Sequence, residues 1–179
     1  MKKFAILFAG LFLMTFAFQS VNAQNPVTSA AALTSARIIQ TLEISKNRDL
    51  DFGTFTAVDG NVILSPDEST TRTTTGPVLS GGTAVSAKFT VTGSAGEFYT
   101  TSIPTSITLT NTNTTGGGTL TLTPSINVTG NSGVLDGTLG SGSTGTQILY
   151  VGGSLAVLGT SVTGLYQNNT DMKVTVNYN

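Results

Sequence analysis

The side chains able to do chemistry in this chain are few, and the absent ones narrow the field most. There is no His and no Cys, which excludes imidazole-based triads, thiol nucleophiles and the common zinc constellations. Only oxygen chemistry remains. A carboxylate pair of the glycosidase kind needs two acids about 5–10 Å apart across a cleft, and Asp49 and Asp51 come nearest to it by spacing. They alternate with apolar Leu50 and Phe52, which is the pattern of a strand with one solvated face. Asp59, Asn61, Asp67 and Glu68 make an oxygen-rich stretch without the fixed spacing of a calcium loop, so they read as solvated loop residues. Trp is absent and the four tyrosines, at 99, 150, 166 and 178, are scattered, so no aromatic platform for sugars is outlined. The expectation is a protein that is not an enzyme, with no catalytic residue, no metal and no cofactor. A carboxylate-only glycosidase is the remaining enzymatic alternative.

The N-terminus carries a different kind of message. Lys2 and Lys3 precede an almost wholly apolar run from Phe4 to Phe18, and Val21 and Ala23 place small residues three and one positions before a cut between Ala23 and Gln24. This is the layout of a cleavable signal peptide; the run is shorter than the roughly 20 apolar residues a spanning helix needs. The expected divisions are a signal peptide over 1–23, a flexible extension over 24–35 and a β-sandwich domain over 36–179. The expected location is secreted: periplasm, outer surface or extracellular space, with no transmembrane segment after cleavage. Without Lys2 and Lys3, six basic residues face nine acidic ones, so no basic footprint for nucleic acid is present. With no Cys, stability must come from burial and strand pairing.

The elements that position these residues read as strands. The chain is rich in Thr, Gly, Ser, Asn and Val; branched Cβ atoms suit a pleated strand, and threonine hydroxyls keep its outer face wet. Ile38, Leu42 and Ile44 share one phase of a first strand, and Leu50 and Phe52 belong to a second. Val62–Leu64 makes a third, with a loop expected over 65–76. Val85, Ala87, Phe89 and Val91 alternate through the middle of the chain. Strands are also expected over 99–103, 107–110 and 120–123, with a short segment at Ile126 and Val128. A Gly/Ser-rich loop spans 130–146. The apolar runs 148–151 and 155–158 flank Gly152-Gly153 and read as a hairpin. Met172, Val174, Val176 and Tyr178 alternate with polar residues to form a last strand. Repeated short strands with no helical crossover imply an all-β, antiparallel sandwich. A terminal strand of this kind either completes a closed sandwich or offers an edge to another chain.

The blocks ARIIQTLEIS, DLDFGTF, AKFTVTG with ITLT, LYVGGSLAVLG and GLYQNNTDMKVTVNYN resemble the family catalogued as domain of unknown function 4402, found in secreted bacterial proteins. That family is in turn similar to spore coat protein U-like domains and chaperone–usher pilins. The resemblance implies an immunoglobulin-like sandwich completed by the N-terminal extension of the next subunit after a periplasmic chaperone has filled the groove. Gly164, Tyr166 and Tyr178 would then match the C-terminal signature, with Met172, Val174 and Val176 in the same assembly segment. Residues 25–35, with Val27, Ala31 and Leu33 on one phase, would be the donor. The partners implied are the protein itself or other surface subunits, and the function that of a structural or adhesive surface protein. The alternative is a monomeric secreted module binding a ligand through loops 65–76 and 130–146.

Overall fold

The computed structural model describes residues 28–113 and 117–179. The signal peptide, its cleavage site at Ala23 and Gln24, and Val27 lie outside the described residues. The chain divides into two units, Met1–Arg37 and Ile38–Asn179. In the first, residues 28–37 are exposed and without regular secondary structure.

The second unit is all-β and antiparallel, as the strand composition predicts. Its elements are β1 (Glu43–Arg48), β2 (Thr54–Phe55), β3 (Gly60–Leu64), β4 (Arg72–Thr74), β5 (Leu79–Gly81), β6 (Ala87–Ser94), β7 (Phe98–Ser102), β8 (Ile107–Asn111), β9 (Thr119–Ile126), β10 (Ser132–Val134), β11 (Thr144–Val157), β12 (Tyr166–Gln167) and β13 (Thr175–Tyr178). The large sheet runs β1-β6-β11-β9-β8-β12, with β3 joining β11 and β4 joining β3. A three-stranded sheet, β10-β7-β13, and a two-stranded sheet, β2-β5, complete the fold.

Two apolar clusters hold the sheets together. In one, Ala87, Phe89 and Val91 of β6 and Leu149 and Val151 of β11 pack against Tyr99 of β7 and Leu135. In the other, Val62, Leu64, Ile107, Leu120, Leu122, Leu155 and Val157 enclose Phe52 and Ala84. The inner face of β11 supplies both clusters, because Leu149, Val151, Leu155 and Val157 share one phase of a single strand. Burying a side chain of this size stabilises by about 1.5–3 kcal/mol, so these two clusters supply the main attraction between the sheets.

Several sequence expectations change. The apolar runs around Gly152-Gly153 are not a hairpin: β11 passes through both glycines, pairing with β6 and then β3 along one edge and with β9 along the other. The glycines mark close approach of backbone rather than a turn. A Cβ at Gly152 would fall on the backbone of Leu64, Ser65 and Pro66, and one at Gly153 on Thr123 and Pro124. The first strand begins at Glu43, and Ile38 is 98% exposed. Ahead of it, Gln40 bonds to Ser94 and Tyr178 outside any ladder. The expected second strand shrinks to one bridge, Asp51 to Val85. The two expected loops contain β4 and β10, because short polar strands such as Arg72–Thr74 carry no hydrophobic alternation. Met172 and Val174 keep their phase but precede β13.

Candidate functional site

The acidic side chains singled out by their spacing are each engaged by a separate partner. Asp49 pairs with Lys46 at 2.5 Å on the surface, and Asp51 accepts the Gly53 N–H at 2.7 Å. Asp59 accepts the Gly159 N–H and Asp67 the Ser69 N–H, both at 2.7 Å. Asp51 and Asp67 fix local turns, whereas Asp59 ties two segments 100 residues apart. Among the described residues, no group of three or more Asp or Glu side chains is placed to hold a metal ion, and no helix is long and apolar enough to cross a membrane.

The C-terminal candidates divide between two edges. Tyr166 lies in β12, opposite Asn111 of β8, and its hydroxyl donates to the Val162 carbonyl at 2.6 Å. Gly164 lies against the Asn111 amide, where a Cβ would collide. Both therefore sit at the β12 end of the large sheet. Met172, Val174, Val176 and Tyr178 instead line the seam of the first core cluster, all half-buried.

At that seam the edges of two sheets come together. Leu42, just ahead of β1, and Ile44, within it, are half-buried against the same cluster. The Tyr178 hydroxyl donates to the Gln40 carbonyl at 3.0 Å and accepts the Ser94 N–H at 2.8 Å. Gly93 makes room for this ring, since a Cβ there would collide with the Tyr178 hydroxyl and press on Leu42. Gln40 adds three further bonds: its N–H donates to Ser94 Oγ at 2.6 Å, its amide N–H to the Gly142 carbonyl at 3.4 Å, and its Oε1 accepts the Thr144 hydroxyl at 2.9 Å. Gln40, Ser94 and Thr144 are polar and far apart in sequence, so no periodic signal marks them.

The edges differ in how they are guarded. β1 carries an irregularity between Lys46 and Arg48, with charges on both sides; bulges and charges protect an edge. The outward N–H groups of β10 are occupied, Ser132 by the Thr129 carbonyl and Val134 by Gln147 Oε1 at 3.0 Å. β4 and β12 are three and two residues long. Among the described residues β13 pairs only with β7, and it contains no bulge, Pro, Gly or charge. The Asn179 N–H donates to the Phe98 carbonyl. Antiparallel alternation therefore turns the backbone N–H and C=O of Val176 and Tyr178 away from β7, toward the open side.

Two further features were not visible in the sequence. Beside β10, a surface cleft of ≈ 290 Å³ is lined by Phe98, Asn127, Val128, Val134 and Gln147 among others. On the large sheet, Glu68 accepts from Arg48 Nη1 at 2.9 Å, Lys88 Nζ at 3.2 Å and the Tyr150 hydroxyl. The Tyr150 hydrogen bond, then those from Lys88 and Arg48, hold the Glu68 carboxyl down at about 2. Burial pushes the Tyr99 phenol up to about 12.

No curated protein and no solved structure matches this chain. One family model does, over residues 42–178, from the seam residue Leu42 to the last residue of β13. The chain belongs to the family described as "Domain of unknown function (DUF4402)".

Proposed function

We propose that this protein is an exported, non-catalytic structural or adhesive subunit of the cell surface that assembles by accepting a strand from another copy along β13. The observation that carries this reading is the open edge. Among the described residues nothing guards β13, and the apolar side chains beside it (Leu42, Ile44, Val174, Val176) remain half-buried rather than covered. An added strand would pair with the outward backbone groups of Val176 and Tyr178 and cover those side chains. Residues 25–35 of a second copy are the donor: Ala31 and Leu33 lie in an exposed segment without regular structure, and Leu33 is 95% exposed. Export rests on the residue pattern of 1–23.

Size-exclusion chromatography with light scattering on the chain starting at Gln24, and on the same chain starting at Ala36, tests assembly. The longer form is expected to give concentration-dependent oligomers, the shorter form monomers that bind a synthetic 25–35 peptide. A longer form that stays monomeric at high concentration and ignores the peptide would overturn strand donation. Sequencing the N-terminus of the exported protein tests the cut: Gln24 is expected, and Met1 would refute export by this signal.

A further inference from the structure

The outer face of the large sheet carries a cationic row. Arg48 on β1 is in register with Lys88 on β6, and Lys88 with Tyr150 on β11. The three side chains stand side by side across adjacent strands and converge on one carboxylate, Glu68, in the loop between β3 and β4. Both carboxylate oxygens are engaged: Oε1 by Arg48, Oε2 by Lys88 and Tyr150.

The receptor is held by contacts that do not involve Glu68. Arg48 Nε donates to the Ser86 carbonyl at 2.8 Å and Nη2 to Ser86 Oγ at 3.4 Å, which leaves Nη1 aimed at the carboxylate. Lys88 Nζ lies 5.5 Å from the centre of the Tyr150 ring, a cation–π distance. The Arg48 and Lys88 side chains are 27% and 28% exposed, against 58% for Glu68. The cations are thus the fixed partners, and the carboxylate is the exposed one. Two positive charges face one negative charge, and a fork of this kind suits carboxylate recognition. The loop has its own tether, because Ser86 Oγ donates to the Asp67 carbonyl. Loss of the Glu68 carboxylate therefore does not by itself free the loop.

We propose that Arg48, Lys88 and Tyr150 form a carboxylate-binding site, and that Glu68 is an internal occupant which an acidic side chain of a partner protein can replace. The present occupant is itself a peptide glutamate, which is why the site is assigned to an acidic side chain. A tethered occupant competes at an effective concentration of the order of millimolar. The native protein therefore answers only a strong or multivalent acidic partner, and removal of Glu68 unmasks the site.

Acetate, the carboxylate alone, is the probe, titrated into the chain starting at Gln24 and followed through the Tyr150 ring resonances. E68A is expected to saturate at an acetate concentration at least ~10-fold below the native chain, as relief from a tethered competitor requires. R48M/E68A should lose that gain, and acetamide should give no saturation. E68Q, which preserves side-chain volume, serves the same comparison should E68A fold poorly. The proposal is overturned if neither variant gains acetate response, if R48M/E68A responds equally, or if acetamide saturates too. Tighter binding of glucuronate than of a short glutamate peptide would overturn the assignment to a protein partner.

Discussion

At the scale of single residues, ionisation is shifted where side chains gather from distant parts of the chain. Glu68 has its folded pKa at about 2 against an ordinary 4.5. Its contribution to stability is therefore complete above pH 4.5 and is lost as pH falls toward 2. Urea midpoints measured across that window should fall more steeply for the native chain than for E68Q, and parallel curves would contradict the network. Tyr99 behaves in the opposite sense. Its phenol ionises at about 12 when folded and at 10 when unfolded, so stability declines as pH rises between those values. Y99F should flatten this alkaline decline. It also removes the hydrogen bond to Gln147 Oε1 (2.6 Å), at a cost of about 1 kcal/mol near neutral pH, readable as a lower urea midpoint.

At the scale of elements, β11 organises the domain. Its central glycines resemble a turn in the sequence because Gly-Gly between apolar runs is how many hairpins are written. The neighbours decide otherwise: β9 pairs across Gly153, and the chain leaving β3 crosses directly over Gly152. A side chain at 152 must displace backbone, and overpacking of this kind costs roughly 1–3 kcal/mol, occasionally more. G152V should lower the urea midpoint accordingly, whereas A156V, on the exposed face of the same strand, should leave it nearly unchanged. Equal effects at the two positions would show that strand propensity, not the crossing at Pro66, governs this segment.

At the scale of the whole molecule, among the described residues the large sheet presents edges that are bulged or short, and the three-stranded sheet presents one that is plugged and one that is open. A head-to-tail contact between an extension and an edge uses different surfaces on each copy, so it propagates as a chain rather than closing as a symmetric dimer. The oligomers expected of the chain starting at Gln24 should accordingly form a ladder of sizes. A single dimer species, insensitive to concentration, would contradict a heterologous contact.

Much of the fold was legible because alternation is a local signal. Ala87, Phe89 and Val91 face the core, as their spacing requires, and the lack of His and Cys excluded whole classes of chemistry. Thr/Val-rich alternation likewise led to the all-β fold, and the blocks from DLDFGTF to VTVNYN led to the family. Strand pairing is not local. Whether two apolar runs make a hairpin or one long strand depends on which backbones lie beside them, and at Gly152 that is a loop about 90 residues earlier in the chain. For the same reason only the folded chain could set Arg48, Lys88, Tyr150 and Glu68 around one point, Gln40 beneath Tyr178, and β13 at an edge with its outer side open. These sites depend on cross-strand register, which single residues do not encode and packing fixes.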